Sequence, residues 1–224
     1  MIHIVDDGTA GIGELATRLR AEGHVVVVAT EGTGALGALG DERLRAELER
    51  MAVTDPLTGL SNRRRLVDAG EQELLRAQRA NSLLCVLMLD IDYFRRINET
   101  HGHAAGDAVI QSVAQTSAQT VRALDTVAHL DGGEFAIVAP MTDLQGAVEL
   151  GERLRERVEA NTVAWEGGEL RATLSVGVAQ GTPKSRNFDV LLIAAEQALR
   201  KAKRAGRNRV AATIYAAPDD QAAK

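Results

Sequence analysis

Two short acidic stretches carry side chains that could do chemistry. In Leu89-Asp90-Ile91-Asp92 two carboxylates stand two residues apart, directly after the apolar run 83–89. A buried strand there would deliver Asp90 to the edge of a sheet, where the pair could hold a hard cation. In Asp131-Gly132-Gly133-Glu134-Phe135 the apolar runs 126–130 and 136–139 flank the glycines, which predicts a tight hairpin turn bearing acidic groups. A third stretch, 195–208, is rich in Lys and Arg. Lys203 and Arg207, four apart, are expected on one helical face near a helix C-terminus, where a solvated basic face would also be favourable. Acidic strand ends and basic helix faces are common singly, so order and spacing must carry the reading.

The elements that must position these groups alternate in type. From residue 54 onward the patterns predict a helix over 63–80, a buried strand over 83–90 and a helix over 105–124. After the hairpin strands come a helix over 144–161, a strand over 170–179, a helix over 188–205 and a last strand over 210–215. Such alternation predicts an α/β domain over 54–216 with a central sheet flanked by helices. Residues 217–224 read as a polar, Ala-rich disordered tail.

The 224 residues suffice for one full domain and a small appendage. An apolar fraction of 45% and a charged fraction of 25% are ordinary for a soluble globular protein. A net charge of −5 argues against a nucleic-acid partner. No apolar stretch approaches the ~20 residues of a membrane span, so a cytoplasmic protein with no membrane partner is expected. The single cysteine, Cys85, falls inside the apolar run and reads as a buried small hydrophobe.

Taken together, the motifs resemble the GGDEF domain, the family that condenses two GTP molecules into cyclic di-GMP. Asp55-Pro56-Leu57-Thr58-Gly59-Leu60-Ser61-Asn62-Arg63 matches its opening D-x-L-T-G-L-x-N-R signature. Asp90-Ile91-Asp92 runs through Phe94, Ile97 and Asn98 to His101-Gly102-His103-Ala104-Ala105-Gly106-Asp107, similar to the family's substrate half-site. Residues 195–208 resemble its A-D-x-A-L-Y-x-A-K-x-x-G-R-N segment, with Arg200 in the place of Tyr. The resemblance implies that Asp90 and the backbone carbonyl of Ile91 bind Mg²⁺, that Asn98 and Asp107 read guanine, and that Lys203 and Arg207 face the triphosphate. An Asp accepting from guanine N1 and N2 is sensible chemistry. Arg122-Ala123-Leu124-Asp125 fits the R-x-x-D motif through which the family binds its own product, and Arg76 stands where a subsidiary product-binding Arg is often found. Arg122 would fork onto guanine O6 and N7, with Asp125 on the other edge.

One motif departs from the pattern. Phe135 follows Asp125 by ten residues, as the resemblance requires, so the signature is in register. Asp131 then replaces the first Gly, and Gly133 replaces the carboxylate that the family uses as a metal ligand. Glu134 is kept. Two-metal phosphoryl transfer needs carboxylates around the ions, and losing one should cost several orders of magnitude in rate. Asp131, two residues away on a tight turn, is the other acidic candidate to serve catalysis.

Residues 1–40 read as strand, helix and strand. An apolar run ends in Asp6-Asp7, helical spacing follows in Ile12, Leu15, Ala16 and Leu19, and four valines close the segment. This resembles the opening third of a response-regulator receiver, in which such an acidic pair helps to hold magnesium. Asp6 and Asp7 as plain strand-end carboxylates is the competing reading. Where the receiver's acceptor Asp is due, Leu48-Glu49-Arg50-Met51-Ala52 is helical in pattern, so the receiver-like segment is truncated. Residues 41–53 read as a linker helix whose Leu44, Leu48 and Met51 would suit pairing with a second copy. A homodimer is expected.

The sequence thus favours a degenerate GGDEF protein that senses cyclic di-GMP through Arg122 and Asp125 and signals to a downstream protein partner it does not identify. Two rivals stand beside it. One is an active diguanylate cyclase using GTP and Mg²⁺ with product inhibition. The other is a GTP-binding regulatory module.

Overall fold

A computed structural model describes residues 2–5, 17–19, 26–29, 53–183, 185 and 187–215. The chain divides into two units, Met1–Ala52 and Val53–Lys224. In the first, strands β1 (Ile2–Val5) and β2 (Val26–Ala29) pair in parallel, with Ile2 opposite Val26, and 17–19 are helical between them. Asp6, Asp7, the linker helix up to residue 52 and the tail 217–224 lie outside the described residues.

The second unit is built on a five-stranded sheet. Its strands are β3 (Leu84–Ile91), β4 (Thr126–Asp131), β5 (Glu134–Pro140), β8 (Leu174–Gly181) and β9 (Val210–Ile214), in the order β4-β5-β3-β8-β9. β3 runs antiparallel to both neighbours, and only β8 and β9 are parallel. A separate small hairpin pairs β6 (Val163–Trp165) with β7 (Gly168–Leu170).

The central strand is apolar on both faces because both faces are covered. Leu87, Leu89 and Ile91 join a core with α3 (His103–Thr120) and α4 (Leu144–Ala160), through Val109, Val113, Leu150 and Leu154. Leu84, Val86 and Met88 point to the other side, against α1 (Arg63–Ala80) and α5 (Phe188–Arg204), through Leu66, Leu74, Leu191 and Leu199. This is the expected α/β architecture, a central sheet flanked by helices. Three of the long helices, α1, α4 and α5, start on a side-chain cap: Asn62 accepts from Arg65 N–H, Asp143 from Gly146 N–H and Asn187 from Asp189 N–H. No helix among the described residues is long and apolar enough to cross a membrane.

Three boundaries differ from expectation. The helix predicted over 105–124 starts earlier and stops at Thr120, and a separate helix α2 (Phe94–His101) precedes it. Gly102, at φ +85°, breaks the two apart, and Val121 turns extended at the other end. Arg122 and Asp125 therefore sit in a turn. The strand predicted over 170–179 is divided, with Leu170 ending β7 and β8 starting at Leu174. α5 ends at Arg204, short of Arg207.

Candidate functional site

Asp90 closes the central strand, flanked by Glu134 of β5 and Ser175 of β8 as its direct cross-strand partners. It lies at the end of an inner strand, not on an outer edge of the sheet. By alternation Asp90 and Glu134 share the face covered by α1 and α5. From α5, Lys203 reaches in, and its Nζ stands 2.8 Å from Asp90 Oδ2. Burial pushes the Asp90 carboxyl above its ordinary range, against the pull of Lys203 and Arg207. Glu134 is raised as well, by burial first and by the nearby Asp90 second.

Asp92 does not join this pair, and the expectation that the two carboxylates share a cation is corrected here. Asp92 is 3% exposed and fully engaged inside the protein. Its Oδ2 accepts from Thr173 Oγ1 at 2.8 Å and from Asn208 N–H at 3.0 Å, and its Oδ1 accepts from Ser175 Oγ at 2.6 Å. Along the strand it is Asp90 and Met88 that share a side, so a spacing of two would suit a shared cation. At Asp92, however, the strand has ended and the chain turns through Tyr93, at φ +57°.

The hairpin forms as the sequence predicts. β4 and β5 meet through Gly132-Gly133, with Asp131 opposite Glu134 and Gly132 at φ +50°. A register shift between His129 and Asp131 fits the turn to the ladder. Asp131 is exposed at the tip. Gly133 is buried, its carbonyl accepting from Ile91 N–H at 3.0 Å. A Cβ on Gly133 would lie 3.1 Å from Phe94 Cβ and Cγ and 3.3 Å from Ile91 Cβ, so that position faces carbon. Among the described residues no three His, Cys, Asp or Glu side chains converge as a metal set. Asp90 is met by the Lys203 ammonium, and Gly133 carries no side-chain ligand.

His129 is a residue the motif reading passed over. It is 7% exposed and connects the hairpin to the turn that opens the domain. Its Nε2 bonds the Gly132 carbonyl at 2.9 Å, and its Nδ1 stands 3.0 Å from Asp55 Oδ1. That same Asp55 oxygen accepts from Thr58 N–H and Oγ1 at 2.9 and 2.6 Å. No local sequence signal joins residues 55 and 129.

Arg207 is not on the helical face of Lys203, which corrects the spacing argument. After α5 the chain closes with Arg207 N–H on the Ala202 carbonyl and Gly206 N–H on the Lys203 carbonyl, with Gly206 at φ +116°. This is the Schellman closure of a helix, and it needs a residue free to adopt positive φ. Arg207 and Asn208 then follow at φ +62° and +45°. The Arg207 guanidinium lies 4.6 Å from the centre of the Tyr93 ring. Asn208 is tied to α4, donating to Glu159 Oε1 and accepting from Arg155.

Asn98, on α2, rests against Gly106 of α3, where a Cβ would come 1.9 Å from its Oδ1. That Oδ1 is buried and has no hydrogen-bond partner, an unsatisfied acceptor. Asp107, next to Gly106, is exposed.

Arg122 and Asp125 close a turn on each other. Arg122 N–H donates to Asp125 Oδ2 at 2.8 Å, and Asp125 N–H donates to the Arg122 carbonyl at 3.0 Å. The Arg122 side chain is exposed. One cavity, lined in part by Arg122, Ser82, Leu83 and Met141, adjoins another lined by Arg76, Glu73 and Leu124 together with the same Ser82, Leu83 and Met141. Arg76 and Arg122 thus border two adjoining hollows that share Ser82, Leu83 and Met141. Leu124 and Met141, 65% and 67% exposed, give them an apolar rim. Arg76 is ion-paired with Glu73.

Comparison with known proteins identifies the family. The family described as "Diguanylate cyclase, GGDEF domain" matches residues 52–209. The diguanylate cyclase DgcP of Pseudomonas aeruginosa is 40% identical over 159 residues, covering 71% of this chain and 24% of that protein. The response regulator PleD of Caulobacter vibrioides is 37% identical over 162 residues, covering 71% of this chain and 36% of that protein. The chain spans about a quarter to about a third of the length of these relatives. Among solved structures, the GGDEF domain of DgcB from Caulobacter crescentus in complex with c-di-GMP aligns with a TM-score of 0.69 at 32% identity, covering 72% of this chain and 93% of that one. The chain belongs to the GGDEF family.

Proposed function

We propose that this protein is a degenerate GGDEF domain that binds cyclic di-GMP through Arg122 and Asp125, with Arg76 on the adjoining hollow, and does not synthesise it. The observation that carries this reading is Gly133: the signature position lacks a carboxylate, and a side chain there would meet Phe94 and Ile91. The residues that the family resemblance assigns to ligand are retained in the sequence. Arg122 is exposed and free to fork onto a guanine edge, while the turn holds Asp125 beside it. Asn98, held against Gly106, together with Asp107 and Arg207 suits a guanine nucleotide at the second site. Binding would be passed on by protein contact, with a homodimer organised by the N-terminal segment as the signalling unit.

Calorimetric titration with cyclic di-GMP tests the site. Binding by the wild type and its loss in Arg122→Ala are expected, and equal binding by both proteins defeats the assignment. An active cyclase using GTP and Mg²⁺ is the second reading. A relative at 40% identity carries that name, and Asp90 and Glu134 are both present.

A further inference from the structure

The cation at the acidic end of the sheet belongs to the chain itself. Lys203 Nζ lies 2.8 Å from Asp90 Oδ2, with the two side chains 32% and 16% exposed. A contact this short between a mostly buried carboxylate and an ammonium is a charge-assisted hydrogen bond. Glu134 stands directly across from Asp90 and adds a second negative charge. Of the other nearby cations, Arg207 is laid over the Tyr93 ring and Arg63 acts on Glu134. Gly133, the position from which another oxygen ligand would come, faces Phe94 and Ile91.

A divalent ion entering here would need Asp90 for itself. It would also stand next to an ammonium, and the like charges repel in a poorly solvated site. With Gly133 bare, Asp90 and Glu134 are the carboxylates an ion would find here, and water or nucleotide phosphate would have to fill its remaining positions. Resting on the reading of a guanine-nucleotide site at Asn98, Asp107 and Arg207, we infer that Lys203 is the resident cation of that site. Its ammonium takes the place of a divalent ion at Asp90, so the chain holds guanine nucleotide without needing a divalent metal. Removing the ammonium takes away the one cation in direct contact with Asp90 while Glu134 stays opposite it, and the site then attracts an ion.

The full chain tests this with Mn²⁺ alone, followed by the spin-resonance signal of the free ion. The wild type is expected to bind no Mn²⁺ at this site. Lys203→Gln should bind it at least about tenfold more tightly, while Lys203→Arg, which keeps the charge, should behave as wild type. A wild-type Mn²⁺ site that Asp90→Asn abolishes overturns the inference. The second arm measures GTP affinity in Mg²⁺ and in EDTA. Wild type should differ by no more than about twofold, and Lys203→Gln should weaken at least about tenfold in EDTA relative to Mg²⁺. Equal weakening of Lys203→Gln in both buffers would mark a plain phosphate contact and overturn the inference. Wild-type binding that is tenfold tighter in Mg²⁺ overturns it too, while leaving the guanine-site reading intact. No GTP binding by the wild type in either buffer overturns both.

Discussion

Asp92 accepts the backbone N–H of Asn208 at 3.0 Å, across 116 residues of sequence. The bond joins the end of the central strand to the turn that carries Arg207. Tyr93, the next residue, holds the Arg207 guanidinium on its ring. The pair Asp92-Tyr93 therefore fixes the pair Arg207-Asn208 at two points, one through backbone and one through side chain.

Asp92→Asn keeps the shape and removes the charge that three donors address. An amide oxygen serves fewer of them, and its NH₂ group would face donors from Ser175 or Thr173. The expected loss is roughly 1–3 kcal/mol of stability, read by urea unfolding. Cyclic di-GMP binding should be unchanged, because Arg122 and Asp125 lie on a separate turn. Undiminished stability would mean that Asp92 does not hold the turn.

Asp55 predicts a pH dependence. Burial pushes its carboxyl up, but hydrogen bonds from the Thr58 side chain and backbone, with His129 beside it, outweigh that and hold it below the ordinary carboxylate range. A folded-state value below the unfolded one stabilises the protein above the unfolded value, about 4, and this stabilisation is lost as pH falls through the folded value. Asp55→Asn should flatten the acid limb of a stability profile measured by denaturant unfolding. A mutant profile parallel to that of the wild type down to the acid limit would contradict the coupling of Asp55, Thr58 and His129.

Restoring the signature asks whether the missing ligand alone silences the site. Asp131→Gly with Gly133→Asp puts a carboxylate back, but its Cβ would crowd Phe94 at 3.1 Å, so that ring must shift by a few tenths of an ångström. A destabilisation of about 1–2 kcal/mol is expected from the crowding. Single-turnover conversion of GTP should rise at least about tenfold over wild type if the rest of the machinery is intact. No gain in a folded double variant would mean that more than one ligand has been lost.

Much of this site was legible because motifs fix both residue type and register. The spacing from Asp125 to Phe135 predicted an in-register hairpin, and β4 and β5 pair through the two glycines as expected. The long helices α1, α4 and α5 were readable from apolar periodicity and their caps. Partners far apart in sequence account for Asp92 and His129, and a local helix stop accounts for Arg207. Asp92 looked like half of a cation site because Thr173, Ser175 and Asn208 are more than 80 residues away. Arg207 looked helical because a spacing of four is helical, yet Gly206 ends α5 before it. His129 carried no signal at all, since only the fold brings Asp55 to it.

Gly133 carries the central claim, that this domain binds cyclic di-GMP without making it. Incubating the protein with GTP and Mg²⁺ or Mn²⁺, then separating the nucleotides by chromatography, tests it most directly. The account predicts that GTP is recovered unchanged, with no cyclic di-GMP and no pyrophosphate above a protein-free control. Sustained formation of cyclic di-GMP that Asp90→Asn abolishes would contradict it.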